Sequence, residues 1–401
     1  MPETKYTPQP SSERSGVALC LSGGGFRAAL FHLGALRRLN QLGVLSKVDT
    51  ITSVSGGSII SAHVAERVRP WPEPGDVYAK WEEDIAEPFR TFVSRDLRTG
   101  PLLKRMLPWN WFRTDTAVKA LEAAYFQRLT QRAMTELPGR PRFVFCSTDL
   151  AFGVNWVFER ARLGHYLVGY VGPAPAWPVA SAVAASSCFP PLFNPMQPDV
   201  MSLRLVDGRF GGPERDKLLK GLALSDGGVY DNLALEPVWK DHQTLLVSDG
   251  GVPFHYVSAL GWIGQIRRYI DIVYNQAAAV RKRWLIAGFV NGTMNGTFWG
   301  IGSVTKDYDL PQAPLGYPQE LIKERISCIR TDLDAFSEAE CCILENHGYL
   351  LAETAIRKHA PQLICRDVPW KPPHPEWIDA AKARQALVDS DKVRFIGRRS
   401  A

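Results

Sequence analysis

The chain has 401 residues, 45% of them hydrophobic and 22% charged, with a net charge of +6. That is enough apolar material for a large core, and a balance too mildly basic for a nucleic-acid-binding protein. Seven cysteines without a C-x-x-C pair, mostly inside apolar runs, predict reduced buried thiols and exclude a disulfide scaffold.

Residues 1–15 are polar and read as a flexible leader with no secretory signal. Val17 to Leu21 predicts a short buried strand of a parallel sheet. Phe26 to Leu42 predicts a helix, with Leu30, Leu33, Leu36 and Leu39 at helical spacing and Gly43 as its stop. Val48 to Val54 predicts a second strand, and Ile59 to Val68 a second helix ending before Pro70. This β-α-β-α order points to a three-layer α/β/α fold on a largely parallel sheet. From 71 to 139 the pattern is that of a helical insertion. Strands are expected at Arg142–Thr148, Asn155–Glu159, Leu203–Val206, Leu222–Leu224 and Thr244–Ser248. Ala259–Ala287 and Ser337–Lys358 predict helices, so the core is expected over 16–255 and a helical C-terminal extension over 256–401.

Two turns carry chemistry. Ser53-Val54-Ser55-Gly56-Gly57 is a variant of the G-x-S-x-G nucleophile elbow, with Ser53 in place of the first glycine; small neighbours are needed because the serine sits on a strained strand-to-helix turn. Ser22-Gly23-Gly24-Gly25-Phe26-Arg27 lacks the lysine of a phosphate loop and the spacing of a dinucleotide loop. Consecutive glycines at a helix start leave amides open, which suits an oxyanion. Arg27 in the first turn opposes the helix dipole, and an anionic substrate group would explain it. A base is offered by Asp226 in Asp226-Gly227-Gly228, but Asp249-Gly250-Gly251 and Asp207-Gly208 present similar turns, and composition does not separate them.

The glycine loop, His32-Leu33-Gly34-Ala35-Leu36, Ser53-Val54-Ser55-Gly56-Gly57-Ser58, Ala185-Ser186-Ser187-Cys188-Phe189-Pro190-Pro191 and Asp226-Gly227-Gly228-Val229-Tyr230-Asp231-Asn232 occur in one order. In that order the chain resembles the patatin-like phospholipases, with a glycine loop close to that of the cytosolic phospholipase A2 enzymes. The resemblance implies a Ser-Asp dyad without histidine: Ser55 as nucleophile and Asp226 as base, since Asn232 and Pro237 follow Asp226 as in the family and Asp249 lacks both. It implies an oxyanion hole from Gly23, Gly24 and Gly25, phosphate binding by Arg27, and turn support from Gly57, Gly227 and Gly228. The expected activity is that of a lipid acyl hydrolase of phospholipase A or lysophospholipase type. Its expected substrate is a phospholipid or another acyl-ester lipid, with no cofactor, metal or nucleic acid.

The alternatives are a lipid transacylase, a catalytically silent membrane or regulatory scaffold, and an α/β-hydrolase esterase whose Ser-His-Asp triad would use His347 or His255. His32 and His63 are expected to be packing residues. Phe89–Phe112 mixes aromatic with basic residues, which suits a bilayer interface, a lid or a helical cap on the core. Arg281-Lys282-Arg283-Trp284 is a shorter candidate of the same kind, or a solvated helix face. With no run of about 18 apolar residues, a cytoplasmic protein with peripheral membrane contact is expected.

Overall fold

A computed structural model of the chain describes residues 14–106, 115–172, 176–190, 192–201, 203–251 and 261–392. The first half begins as its sequence predicts: β1 (Val17–Leu21), α1 (Gly25–Gln41), β2 (Thr50–Ser53) and α2 (Gly56–Arg67). β1 has only apolar residues and lies mid-sheet, parallel to β2 on one side. The insertion supplies α3 (Glu87–Val93), α4 (Thr99–Met106) and α5 (Thr116–Arg128). Phe89, Phe92 and Leu97 are buried in the main core, so this part of the aromatic-basic stretch is a helical cap. Residues 107–112 of that stretch lie outside the described residues.

Next come β3 (Arg142–Asp149), β4 (Val154–Glu159), β5 (Leu163–His165) and β6 (Gly169–Val171). They are followed by α6 (Val179–Ser187), α7 (Gly212–Lys220), β7 (Leu224–Asp226), α8 (Gly228–Asp231) and β8 (Thr244–Asp249). The strand expected at Leu203–Val206 is reduced to a single bridge between Val206 and Tyr170. The last part holds α9 (Trp262–Val290), β9 (Asn295–Gly300), α10 (Gln319–Leu321), α11 (Glu338–His359) and α12 (Ala380–Lys392). The region expected to be a helical extension thus also supplies a strand, and β9 joins the sheet parallel to β8. Its sequence, Asn-Gly-Thr-Phe-Trp-Gly, sets two glycines and an asparagine against three strand-forming residues, so local preference is weak and the pairing with β8 completes the strand.

The sheet order is β6-β5-β4-β3-β2-β1-β8-β9. Five strands, β9, β8, β1, β2 and β3, are mutually parallel, and β4, β5, β6 and β7 are antiparallel to their neighbours. This is a mixed, mostly parallel sheet flanked by helices, an α/β fold. Among the described residues, no helix is long and apolar enough to cross a membrane.

One pairing of helices ties the C-terminal part to the first. α1 is buried on nearly every side because α11 lies against it. The two meet at two glycines: a Cβ on Gly34 would stand 1.8 Å from the Glu345 carbonyl oxygen, and one on Gly348 would stand 1.9 Å from that of Phe31. Beside the crossing, the Glu345 carboxylate takes hydrogen bonds from Arg37, Arg90 and His374, each at 2.8 Å. Burial opposes its ionisation, but these three partners hold its pKa down at about 2.

Gly34→Ala is expected to lower stability by about 1–3 kcal/mol, since the helices must part to admit one methyl group. Urea unfolding measures this. An unchanged midpoint would show that the crossing is not tightly packed.

Candidate active site

β2 and β7 share one edge of β3. β2 pairs along it as far as Ser53 opposite Phe145. β7 takes over in the opposite direction, with Asp226 opposite Ser147. The chain leaving β2 and the chain leaving β7 therefore turn into the same break in the ladder, opposite Cys146. Ser55 and Asp226 meet there although 171 positions separate them.

Ser55 stands between β2 and α2 with φ 51° and ψ −117°. A residue with a side chain rarely holds this conformation, and its strain is what an elbow requires. The turn is held by Gly57, whose N–H points to the carbonyls of Val54 (2.8 Å) and Ser22 (3.1 Å). Ser53, the departure from the elbow pattern, is fully buried and donates to the Val144 carbonyl at 3.3 Å.

Asp226 is 1% exposed. Its Oδ1 accepts the Gly228 N–H at 2.8 Å, and its backbone carbonyl accepts the Thr148 hydroxyl at 2.8 Å. The Gly227 N–H goes to the Ser186 carbonyl at 3.2 Å. Asp226 Oδ2 has no hydrogen-bond partner among the described residues. Burial raises the Asp226 pKa to about 7, and the nearby Ser55 hydroxyl and the Gly228 N–H pull the other way.

The rival aspartates have other surroundings. Asp249 is ion-paired with Lys282 and accepts the Gly251 N–H at 2.9 Å; burial is outweighed and its pKa is lowered. Asp207 is exposed in a turn. Asp231 is consumed by the N–H groups of Leu233, Leu235 and Glu236.

In the glycine loop, Gly24 (φ 143°) and Gly25 (φ 60°) hold conformations open to glycine, and neither N–H donates to another described residue. Gly23 differs from expectation: its N–H is spent on the Asn232 carbonyl at 3.2 Å. The expected trio of amides is thus reduced to a pair. Arg27 also differs. Its guanidinium is 1% exposed, and it donates to the Gly250 carbonyl (3.2 and 2.9 Å) and the Ile329 carbonyl (2.8 Å). Burial lowers its pKa to about 10. It braces two loops from inside, which accounts for its place at a helix start without a substrate anion.

The histidines are engaged elsewhere. His347 is buried beside Phe31 and Tyr317, with Nε2 2.8 Å from the Ile301 carbonyl and its pKa lowered by burial to about 4. His32 lies between the Ser22 carbonyl and the Ser248 hydroxyl, and His63 against the Ile85 carbonyl. His255 lies outside the described residues. Among the described residues, no cluster of three or more His, Cys, Asp or Glu side chains could hold a metal.

Several neighbours of the site had no role in the sequence reading. A Cβ on Gly23 or Gly228 would stand 2.5 or 2.6 Å from Asn232 Oδ1, so this amide lies between the glycine loop and the Asp226 turn. The Tyr274 hydroxyl of α9 would stand 2.9 Å from a Cβ on Gly228. The Asp332 carbonyl accepts the Phe26 N–H at 2.9 Å beneath the glycine loop. Asn232 and Ser186 lay in runs that were singled out; Tyr274 and Asp332 carried no sequence signal.

A sequence model of the family described as Patatin-like phospholipase matches residues 19–239, more than half of the chain, including the glycine loop and the turns of Ser55 and Asp226. The chain belongs to the patatin-like phospholipase family. Two similar curated proteins are patatin-like phospholipase domain-containing proteins of Aspergillus oryzae and Aspergillus niger. Each is 29% identical over 186 residues, which is 45% of this chain and 22% and 21% of theirs. The chain thus spans about a fifth of the length of these relatives. Among solved structures, human GIVD cytosolic phospholipase A2 aligns with TM-score 0.44 at 12% identity, over 95% of this chain and 63% of that one. VipD from Legionella pneumophila aligns with TM-score 0.38 at 11% identity, over 95% and 76%.

A buried carboxylate without a cation costs stability when ionised. Its folded pKa is raised, so the folded state holds the proton more tightly than the unfolded one, and stability falls as pH rises from about 4 to about 7. Asp226→Asn removes that penalty. It is expected to raise the melting temperature at pH 8 and to give little gain at pH 4. A variant less stable than wild type at pH 8 would contradict the raised pKa.

Proposed function

We propose that this chain is a serine lipid acyl hydrolase working through Ser55 and Asp226. The observation that carries the reading is the contrast between two buried Asp-Gly-Gly turns. Asp249 has a lysine and a lowered pKa, whereas Asp226 has no cation among the described residues, a pKa near 7 and the Ser55 hydroxyl beside it. A base must hold its proton weakly enough to release it and strongly enough to take it, which a pKa near the working pH provides.

In the proposed reaction, Asp226 takes the hydroxyl proton of Ser55 as Oγ attacks the ester carbonyl. The Gly24 and Gly25 N–H groups receive the oxyanion. The buried Arg27 charge, 3.1 Å from where a Gly24 Cβ would stand, adds a positive field behind them. The alcohol leaves with the proton from Asp226. Water, deprotonated by Asp226, then attacks the acyl-serine; the bond to Ser55 Oγ breaks, Asp226 returns the proton to that oxygen, and the fatty acid is released. The engagement of His32, His63 and His347 in other contacts favours this dyad over a triad built on any of them. With Arg27 occupied internally, the reading is of an acyl-ester lipid, with the head group left unassigned.

The proposed approach to lipid is along α9, which lies over the site through Tyr274. Tyr269, Val273 and Val280 form one apolar stripe on its outer face, each more than half exposed. Arg281 and Lys282 of the basic run, by contrast, turn inward to Asp231 and Asp249.

Ser55→Ala and Asp226→Asn are each expected to lower ester hydrolysis by about 10³-fold or more, and Asp249→Asn by less than about tenfold. In wild type, kcat/KM should fall as pH drops below about 7, where Asp226 becomes protonated. An inactive Asp249→Asn beside an active Asp226→Asn would reverse the assignment. A folded wild type whose Ser55 does not react with a fluorophosphonate would favour the silent scaffold. Val273→Asp with Val280→Asp is expected to weaken sedimentation with phospholipid vesicles about tenfold; unchanged sedimentation would remove α9 from the lipid surface.

A further inference from the structure

The break on the edge of β3 is filled by one side chain. Cys146 stands between the residue paired to β2 and the residue paired to β7, and its carbonyl accepts the Ser186 hydroxyl at 2.6 Å. The same hydroxyl oxygen accepts the Ser55 N–H at 3.0 Å, and the Ser58 hydroxyl lies 2.8 Å away. The backbone carbonyl of Ser186 accepts the Gly227 N–H at 3.2 Å. Ser186, the penultimate residue of α6, is fully buried. One residue therefore holds the amide of Ser55 and the amide that follows Asp226, and is itself fixed to the strand between them.

We propose that Ser186 is a positioning residue that sets Ser55 against Asp226. The inference rests on the Ser55–Asp226 reading above. The strained φ of Ser55 persists only while its surroundings over-determine it. The Ser55 N–H and the Cys146 carbonyl are both buried beside Ser186, away from water. Without the Ser186 hydroxyl both lose their partner, and the peptide joining Val54 to Ser55 turns to find another. That rotation moves the Ser55 oxygen away from Asp226 Oδ2. The neighbouring Ser187 provides the comparison: it is as buried, but its hydroxyl donates to the Val183 carbonyl of its own helix (2.7 Å) and lies 3.1 Å from the Tyr125 hydroxyl.

The test compares Ser186→Ala, Ser187→Ala, Ser186→Thr and wild type as full chains. It measures kcat and KM on a soluble nitrophenyl acyl ester, the rate of Ser55 labelling by a fluorophosphonate, and the melting temperature. Ser186→Ala is expected to lower kcat and the labelling rate together by about 10–100-fold, with KM within about threefold, as a misplacement of about 1 Å would. Ser187→Ala, with a similar fall in melting temperature, should keep both rates within about threefold. Ser186→Thr, which retains the hydroxyl, should recover part of the loss. Should Ser186→Ala not fold, Ser186→Cys takes its place, because a thiol is a weak acceptor in nearly the same volume. Equal rates in the Ser186 and Ser187 variants would overturn the positioning role. A folded wild type unlabelled at Ser55 would instead overturn the dyad itself, and the positioning role with it.

Discussion

The site depends on how one edge of β3 is divided. β2 is too short to pair along the whole strand, and β7 completes the edge from the other direction. Both strands stop where the ladder breaks, so the turns that follow them must enter the same small space. The proximity of Ser55 and Asp226 is thus a matter of strand register. A one-residue slip of β7 would send the Asp226 side chain to the other face of the sheet. Ser186 fills the break through the Cys146 carbonyl, and the Ser58 and Ser53 hydroxyls lie beside it in a chain that ends on the Val144 carbonyl.

Two buried aspartates in nearly identical turns show how surroundings override local sequence. Both open with Asp-Gly-Gly and both accept the N–H two residues on. Lys282 and the Gly251 N–H outweigh burial at Asp249, whereas among the described residues no cation pairs with Asp226 and burial prevails, so their pKa values move in opposite directions. Burial of Asp226 without a paired cation among the described residues costs stability when it ionises, which is consistent with the role proposed for it. Sites of reaction are where such unpaired charge concentrates.

The C-terminal third is part of the same construction. α11 presses on α1 with backbone against backbone, and the carbonyls of Ile329 and Asp332 reach Arg27 and Phe26 at the start of that helix. The glycine loop is held open from below by residues some 300 positions further along the chain. Arg27 is the clearest case of a residue whose meaning changed: its awkward position suggested a substrate anion, and its hydrogen bonds are to two backbone carbonyls within the protein.

The sequence by itself determined the α/β class, the early βαβα order, the helices expected at 26–42, 59–68 and 337–358 to within three residues at each end, and the turns that carry Ser55, the glycine loop and Asp226. These are local properties: period, turn chemistry and the room that glycine leaves. It did not reveal β9, whose strand is completed by pairing with β8, or the short β5 and β6. By composition it left three aspartates as equals, and only the family resemblance selected Asp226; the same resemblance gave Gly23 and Arg27 roles that their hydrogen bonds do not leave free. Only the tertiary structure decided which carboxylate is paired with a cation, which amides remain open and what fills the break in β3. Charge compensation and hydrogen-bond partnership are relations between segments that meet only when the chain is folded.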